Sequence, residues 1–124
     1  MLKDRVPTTT STARTLRGKE GVIETVITGR LTEHDMRAAI QEISRLGVGA
    51  VWLADASAME SYETACVKVT SEAIAMMEKK GLKRVVAVIK SSLARMAVRA
   101  VAMTTKVEVK VVESRLEALP LLKM

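Results

Sequence analysis

The chain has 124 residues, of which 48% are hydrophobic and 27% charged, a globular balance that fits one domain spanning residues 1–124 and excludes a disordered or fibrous chain. One Trp, one Tyr and no Phe leave an aliphatic core enriched in Met, and a single cysteine excludes an internal disulfide. The net charge of +6 is uneven: residues 21–78 carry four basic and nine acidic side chains, and residues 79–110 carry nine basic and one acidic.

In chain order, residues 1–10 read as loosely ordered, because Pro7 precedes a threonine run before any hydrophobic pattern begins. Ser11–Leu16 fits an edge strand, 17–21 a turn, and Val22–Thr28 a β-branched strand, together a hairpin. Thr32 with Asp35 resembles a capping box, and Met36, Ala39, Ile40, Ile43 and Leu46 then repeat on one helical face up to Gly47. Ala50–Ala54 is a short apolar run, expected to be a buried strand with Trp52 in the core and to end at Asp55. A second helix is expected within 57–80, where Ser57 and Glu60 form a capping-box pattern and Ala65, Val69, Ala73 and Met76 a stripe. Arg84–Ile89 is almost continuously aliphatic, as a strand covered on both faces should be. A third helix starts near Ser91 or Ser92, with Leu93, Met96, Ala97, Ala100 and Val101 expected inward and Arg95 and Arg99 on another face. Val107, Val109 and Val111 alternate with Glu108 and Lys110, the pattern of a half-exposed edge strand. Ser114 and Glu117 form a further capping box, and Pro120 keeps the last helix short. The order β-β-α-β-α-β-α-β-α predicts an α/β domain: a mixed, mostly parallel five-stranded sheet with about four helices.

The chemistry is sparse. His34, the only histidine, falls in the first turn of a helix, where a solvated surface position is expected, and no His-based metal cluster can form around it. Neither a Walker loop nor G-x-G-x-x-G occurs, so no nucleotide cofactor is expected, and Cys66 reads as a small core residue. In parallel sheets ligands gather beyond the carboxyl ends of strands. The polar residues there are Asp55, Ser57 and Tyr62 after the third strand, and Lys90, Ser91 and Ser92 after the fourth, with Arg95 and Arg99 along the helix. These are the candidates for an anion or small ligand, although each serine also suits plain helix capping. The basic region suits an anionic lipid surface, a protein partner, or the acidic part of a second copy in a homodimer, while nucleic acid is disfavoured for want of a stacking platform. No apolar run nears the length of a membrane span, and the first residues lack a secretory signal, so a cytoplasmic protein is expected.

Three segments carry a family resemblance: Val22-Ile-Glu-Thr-Val-Ile-Thr-Gly-Arg-Leu-Thr-Glu33, Arg84-Val-Val-Ala-Val-Ile-Lys-Ser-Ser92 and Val107-Glu-Val-Lys-Val-Val-Glu-Ser-Arg-Leu-Glu-Ala118. Residues 21–122 thereby resemble the STAS/SpoIIAA-like group, particularly its small stand-alone proteins. The resemblance implies a non-catalytic binding or regulatory module. The anti-sigma-factor antagonists of the group carry a phosphorylatable serine before the second helix, and Ser61 takes that place here. The surrounding Glu60-Ser61-Tyr62-Glu63-Thr64 departs from the Asp-Ser-Ser-Gly-Leu pattern. The likeness of the stand-alone proteins to lipid-carrying CRAL-TRIO-type domains implies instead an apolar ligand and peripheral membrane contact.

Overall fold

The computed structural model describes residues 12–17 and 21–123, so the expected loose segment 1–10 and most of the first turn lie outside the described residues. Its elements are β1 (Thr12–Arg17), β2 (Val22–Leu31), α1 (Glu33–Leu46), β3 (Val51–Tyr62), α2 (Ala65–Glu78), β4 (Arg84–Val88), α3 (Ser92–Ala102), β5 (Glu108–Val112) and α4 (Arg115–Ala118), closed by a 3₁₀ turn at Leu119–Leu121. The strands follow one another across a single sheet in the order β1-β2-β3-β4-β5. β1 pairs antiparallel with β2, and β2 to β5 run parallel, as alternating strands and crossover helices require.

Helices α1, α2 and α3 cover one face of the sheet, over Ile23, Ile27, Trp52, Val85 and Ala87. The other face, with Val22, Val51, Leu53, Val86 and Val88, is closed at one end by Ala118, Leu121 and Leu122. Four of the five residues of interior β4 are buried, whereas edge β5 stays half exposed. On α1 the Thr32 hydroxyl accepts from the Asp35 N–H at 3.1 Å, the N-cap half of the expected box, and on α4 the Ser114–Glu117 box is complete. Gly47 ends α1 with φ at +100°, a left-handed conformation that suits glycine.

Three expectations fail. First, β3 does not end at Asp55 but continues to Tyr62, because β2 supplies a partner all the way to Leu31. Against two steps of β2, from Val26 to Thr28, β3 takes three, from Asp55 to Ala58, and it gains one more residue opposite the Gly29–Arg30 step. These bulges absorb Ser57 and Glu60, so the supposed capping box there does not exist. Second, α2 buries Cys66, Val69, Ala73, Ile74 and Met77, leaves Ala65 exposed and only partly covers Met76. Third, α3 is rotated from the expected setting: Val101 is buried and Ala97 half-buried as read, but Ala94 joins them and Leu93, Met96 and Ala100 face solvent.

Candidate functional site

A cavity of about 90 Å³ opens on the helical face of the sheet between α2 and α3. Cys66, Val67, Thr70 and Ile74 form its α2 wall, and Ala94, Ala97, Val98 and Val101 its α3 wall. The floor is the sheet itself, with Trp52, Ala54, Ala56, Ala87 and Ile89. The space follows from side-chain size. Alanine stands at Ala54, Ala56, Ala87, Ala94 and Ala97, and these short side chains leave the centre unfilled. The volume is smaller than the ~150 Å³ of an apolar cavity that admits benzene, but Met36 and Met59 also border it and can swing aside.

The polar groups around the cavity are occupied. The Trp52 indole N–H donates to the Thr25 hydroxyl at 2.9 Å, and the Thr70 hydroxyl donates to the Cys66 carbonyl at 2.8 Å. The Cys66 thiol points at the Leu31 carbonyl, 3.7 Å away, and burial pushes its pKa up, which makes it a poor nucleophile. Half-buried Tyr62 lines the mouth and alone brings a hydroxyl with no hydrogen-bond partner among the described residues. The lining of this space is therefore almost wholly apolar.

The other candidates divide between two places. Asp55 and Ser57 lie together on the opposite side of the sheet. The Ser57 N–H and hydroxyl both donate to Asp55 Oδ1, at 3.0 and 2.7 Å, and Arg115 Nη1 donates to Asp55 Oδ2 at 2.8 Å. Arg115 also holds Glu24, so one guanidinium from the first turn of α4 bridges two carboxylates of the sheet. Burial acts to raise the Asp55 pKa. The hydrogen bonds from Ser57 and the charge of Arg115 outweigh it and hold the carboxyl below its ordinary range. Arg115 is raised in turn, chiefly by its hydrogen bonds to Glu24 and Asp55. A carboxylate held by these bonds ties α4 to the sheet.

The register pairing of Asp55 with Val88 puts Lys90, Ser91 and Ser92 just beyond the same strand level, where the chain enters α3. Ser91 caps that helix, its hydroxyl accepting from the Ala94 N–H at 3.3 Å. Arg95 pairs with Glu113 at 3.0 Å, and Lys90, Ser92 and Arg99 are exposed. Ser61, also exposed, is the penultimate residue of β3 and pairs in register with Arg30, so it does not lie in the first turn of α2. Glu63 is turned to α1, where its carboxylate accepts from the Glu33 N–H at 2.6 Å. His34 is exposed on α1. Sequence reasoning missed Arg115 and Glu24. The one available hint was that an acid closing a buried strand needs a cation.

No protein-family model and no curated protein matches the chain. Among solved structures it is similar to an uncharacterized protein of the DUF3478 family with a SpoIIAA-like fold from Shewanella loihica PV-4, at 18% identity over 96% of this chain and 100% of that one, with a TM-score of 0.69. It is also similar to an anti-sigma factor antagonist from Mycobacterium paratuberculosis, at 17% identity over 90% and 93% of the chains (TM-score 0.65). The anti-sigma factor antagonist SpoIIAA in its unphosphorylated form follows at 11% identity over 88% and 94% (TM-score 0.63). At these identities the shared property is the fold, which is SpoIIAA-like.

Proposed function

We propose that this SpoIIAA-like domain is a non-catalytic binding or regulatory module that seats a small apolar ligand, or the apolar end of an amphiphile, between α2 and α3. The observation that carries the reading is the cavity, whose lining is apolar and whose polar atoms, Tyr62 aside, are already paired. The candidates for acid–base work are otherwise placed: Asp55 is engaged by Ser57 and Arg115, and His34 is exposed on α1. That two neighbours are anti-sigma factor antagonists supports a regulatory role through a protein partner. Trp52 floors the cavity and is the only tryptophan, so its emission reports occupancy directly. Titration with a monomeric medium-chain fatty acid should shift that emission, and Ala97→Phe, which fills the space, should abolish the shift. Native mass spectra before and after lipid extraction should differ by a bound mass. An unresponsive Trp52 together with an unchanged mass would reject the ligand.

A second reading is a switch by phosphorylation at Ser61, favoured by its exposure and by Arg30 directly across the strand pair. Protein isolated from its own cells should then carry phosphate on Ser61. Its absence under every growth condition would remove this reading.

A further inference from the structure

We infer that the free edge of β5 is a docking surface for a second copy of this chain, which pairs antiparallel about a two-fold axis at Val109 and joins the two five-stranded sheets into one. This surface lies apart from the cavity mouth and does not depend on the ligand. β5 ends the sheet, and its ladder with β4 fixes which backbone groups are left over. The Glu108 N–H donates to the Lys83 carbonyl at 3.1 Å, and the Val112 carbonyl accepts from the Ile89 N–H at 2.9 Å. Glu108, Lys110 and Val112 therefore face β4. By alternation Val109 and Val111 turn both N–H and C=O outward, and neither has a partner across the free edge among the described residues. The Val107 N–H is taken by the Thr105 hydroxyl at 3.1 Å, which leaves the Val107 carbonyl. No Gly, Pro or register shift interrupts Glu108–Val112, so the edge has no guard against pairing except its charges.

Those charges select the occupant and the register. Outward groups meet only where odd-numbered residues of β5 oppose odd-numbered residues of the copy. With Val109 opposite its own counterpart, Glu108 stands against Lys110 of the second copy, and Lys110 against Glu108. A slip of two residues one way sets Lys110 against Lys110, and the other way Glu108 against Glu108, which like charge disfavours. Within one strand Lys110 already reaches Glu108 at 3.4 Å, so the four charges of the paired strands alternate around a square. On the helical face the same register sets Val107 against Val111, and the valines that flank the core run on from one copy into the next. β1, the opposite edge, carries Arg14 and Arg17 with no acidic residue and lacks this self-complementarity. Strands of five residues bury far less than the ~1,600 Å² of a standard interface, so the dimer is weak and concentration-dependent.

Sedimentation equilibrium of the full chain over about two decades of concentration should show monomer passing into dimer. Amide exchange of Val109 and Val111 should slow about fivefold between dilute protein and about ten times the dissociation constant, while Lys110, which faces β4, stays unchanged. Glu108→Lys and Lys110→Glu, each alone, set like charges opposite and should raise the dissociation constant at least about tenfold. An equimolar mixture of the two variants should dimerise again, because each then opposes the charge it lacks. The double exchange within one chain should dimerise as the wild type does. Hydrogen exchange of the wild-type chain decides the matter even where a variant unfolds. A chain that stays monomeric throughout the range, or a dimer whose Val109 and Val111 amides exchange at the monomer rate, overturns the proposal. So do single variants that dimerise as tightly as the wild type, or a mixture of them that remains monomeric.

Discussion

Helices α1 and α3 start alike, each with a hydroxyl cap, Thr32 on one and Ser91 on the other, and each carries apolar residues at helical spacing. They use them in opposite ways. α1 turns Met36, Ala39 and Ile43 into the core. α3 turns its small residues inward, with Ala94 and Val101 buried and Ala97 and Val98 half-buried, and leaves Leu93 and Met96 in water. A helix that only had to close the core would bury its largest side chains, since each contributes roughly 1.5–3 kcal/mol when taken from water. The difference separates a helix kept for stability from one kept for its surface and for the space behind it.

The largest effect that tests this contrast is Ile43→Ala. The side chain is fully buried between α1 and the sheet, and its truncation should cost about 2–5 kcal/mol, read by urea unfolding followed through Trp52 emission. A cost below about 1 kcal/mol would put α1 in the same class as α3.

Next comes the opposite face of the sheet, where a charge rather than a stripe holds the short α4. Arg115→Met leaves Asp55 buried with only Ser57 to satisfy it and should cost about 1–2 kcal/mol, a figure reduced by the half-exposed guanidinium. The pH dependence has a definite sign. The folded state holds the Asp55 pKa below its ordinary value, so this stabilisation is complete above the ordinary carboxylate range and is lost as pH falls through the lowered folded value. Thermal midpoints across the acid range should therefore drop more steeply for the wild-type chain than for Arg115→Met. Parallel curves would show that the pair stabilises nothing.

A smaller effect comes from the way the two helices end. α1 stops at Gly47 with φ at +100°, whereas α3 passes into Met103 with ordinary helical backbone. Gly47→Ala should cost about 1 kcal/mol through the left-handed conformation, and a neutral result would show that the turn relaxes.

What the sequence disclosed was local. The Thr32 and Ser114 caps, the Gly47 stop, the aliphatic centre of β4 and the alternation of edge β5 are written in neighbouring residues, and all are present. What it concealed depended on residues far away in the chain. Ser57 to Tyr62 look like a polar helix start and become strand only because β2 extends beside them. Arg115 reaches Asp55 and Glu24 across 60 and 91 positions, with no spacing to announce it. In α3 two apolar stripes compete, and the one with the larger side chains was the natural choice for the core. The alanine stripe prevails because its small side chains let α3 lie close to β5 and α2 while leaving the cavity between them.

The smallest expected effect is for that reason the most informative. Leu93→Ser and Met96→Ser, made together, should change the unfolding free energy by no more than about 0.5 kcal/mol, because both side chains are already largely in water. Serine's lower helix propensity tends to destabilise, and removing exposed apolar surface tends to favour solubility, so neither change leaves a large net term. Ala94→Ser, on the buried face of the same helix, places a hydroxyl among apolar neighbours and should cost about 1–3 kcal/mol. A helix in which the smaller residue proves the costlier one to alter has its core face where the alanines are. A large loss from the Leu93/Met96 pair in urea unfolding would instead return those side chains to the interior.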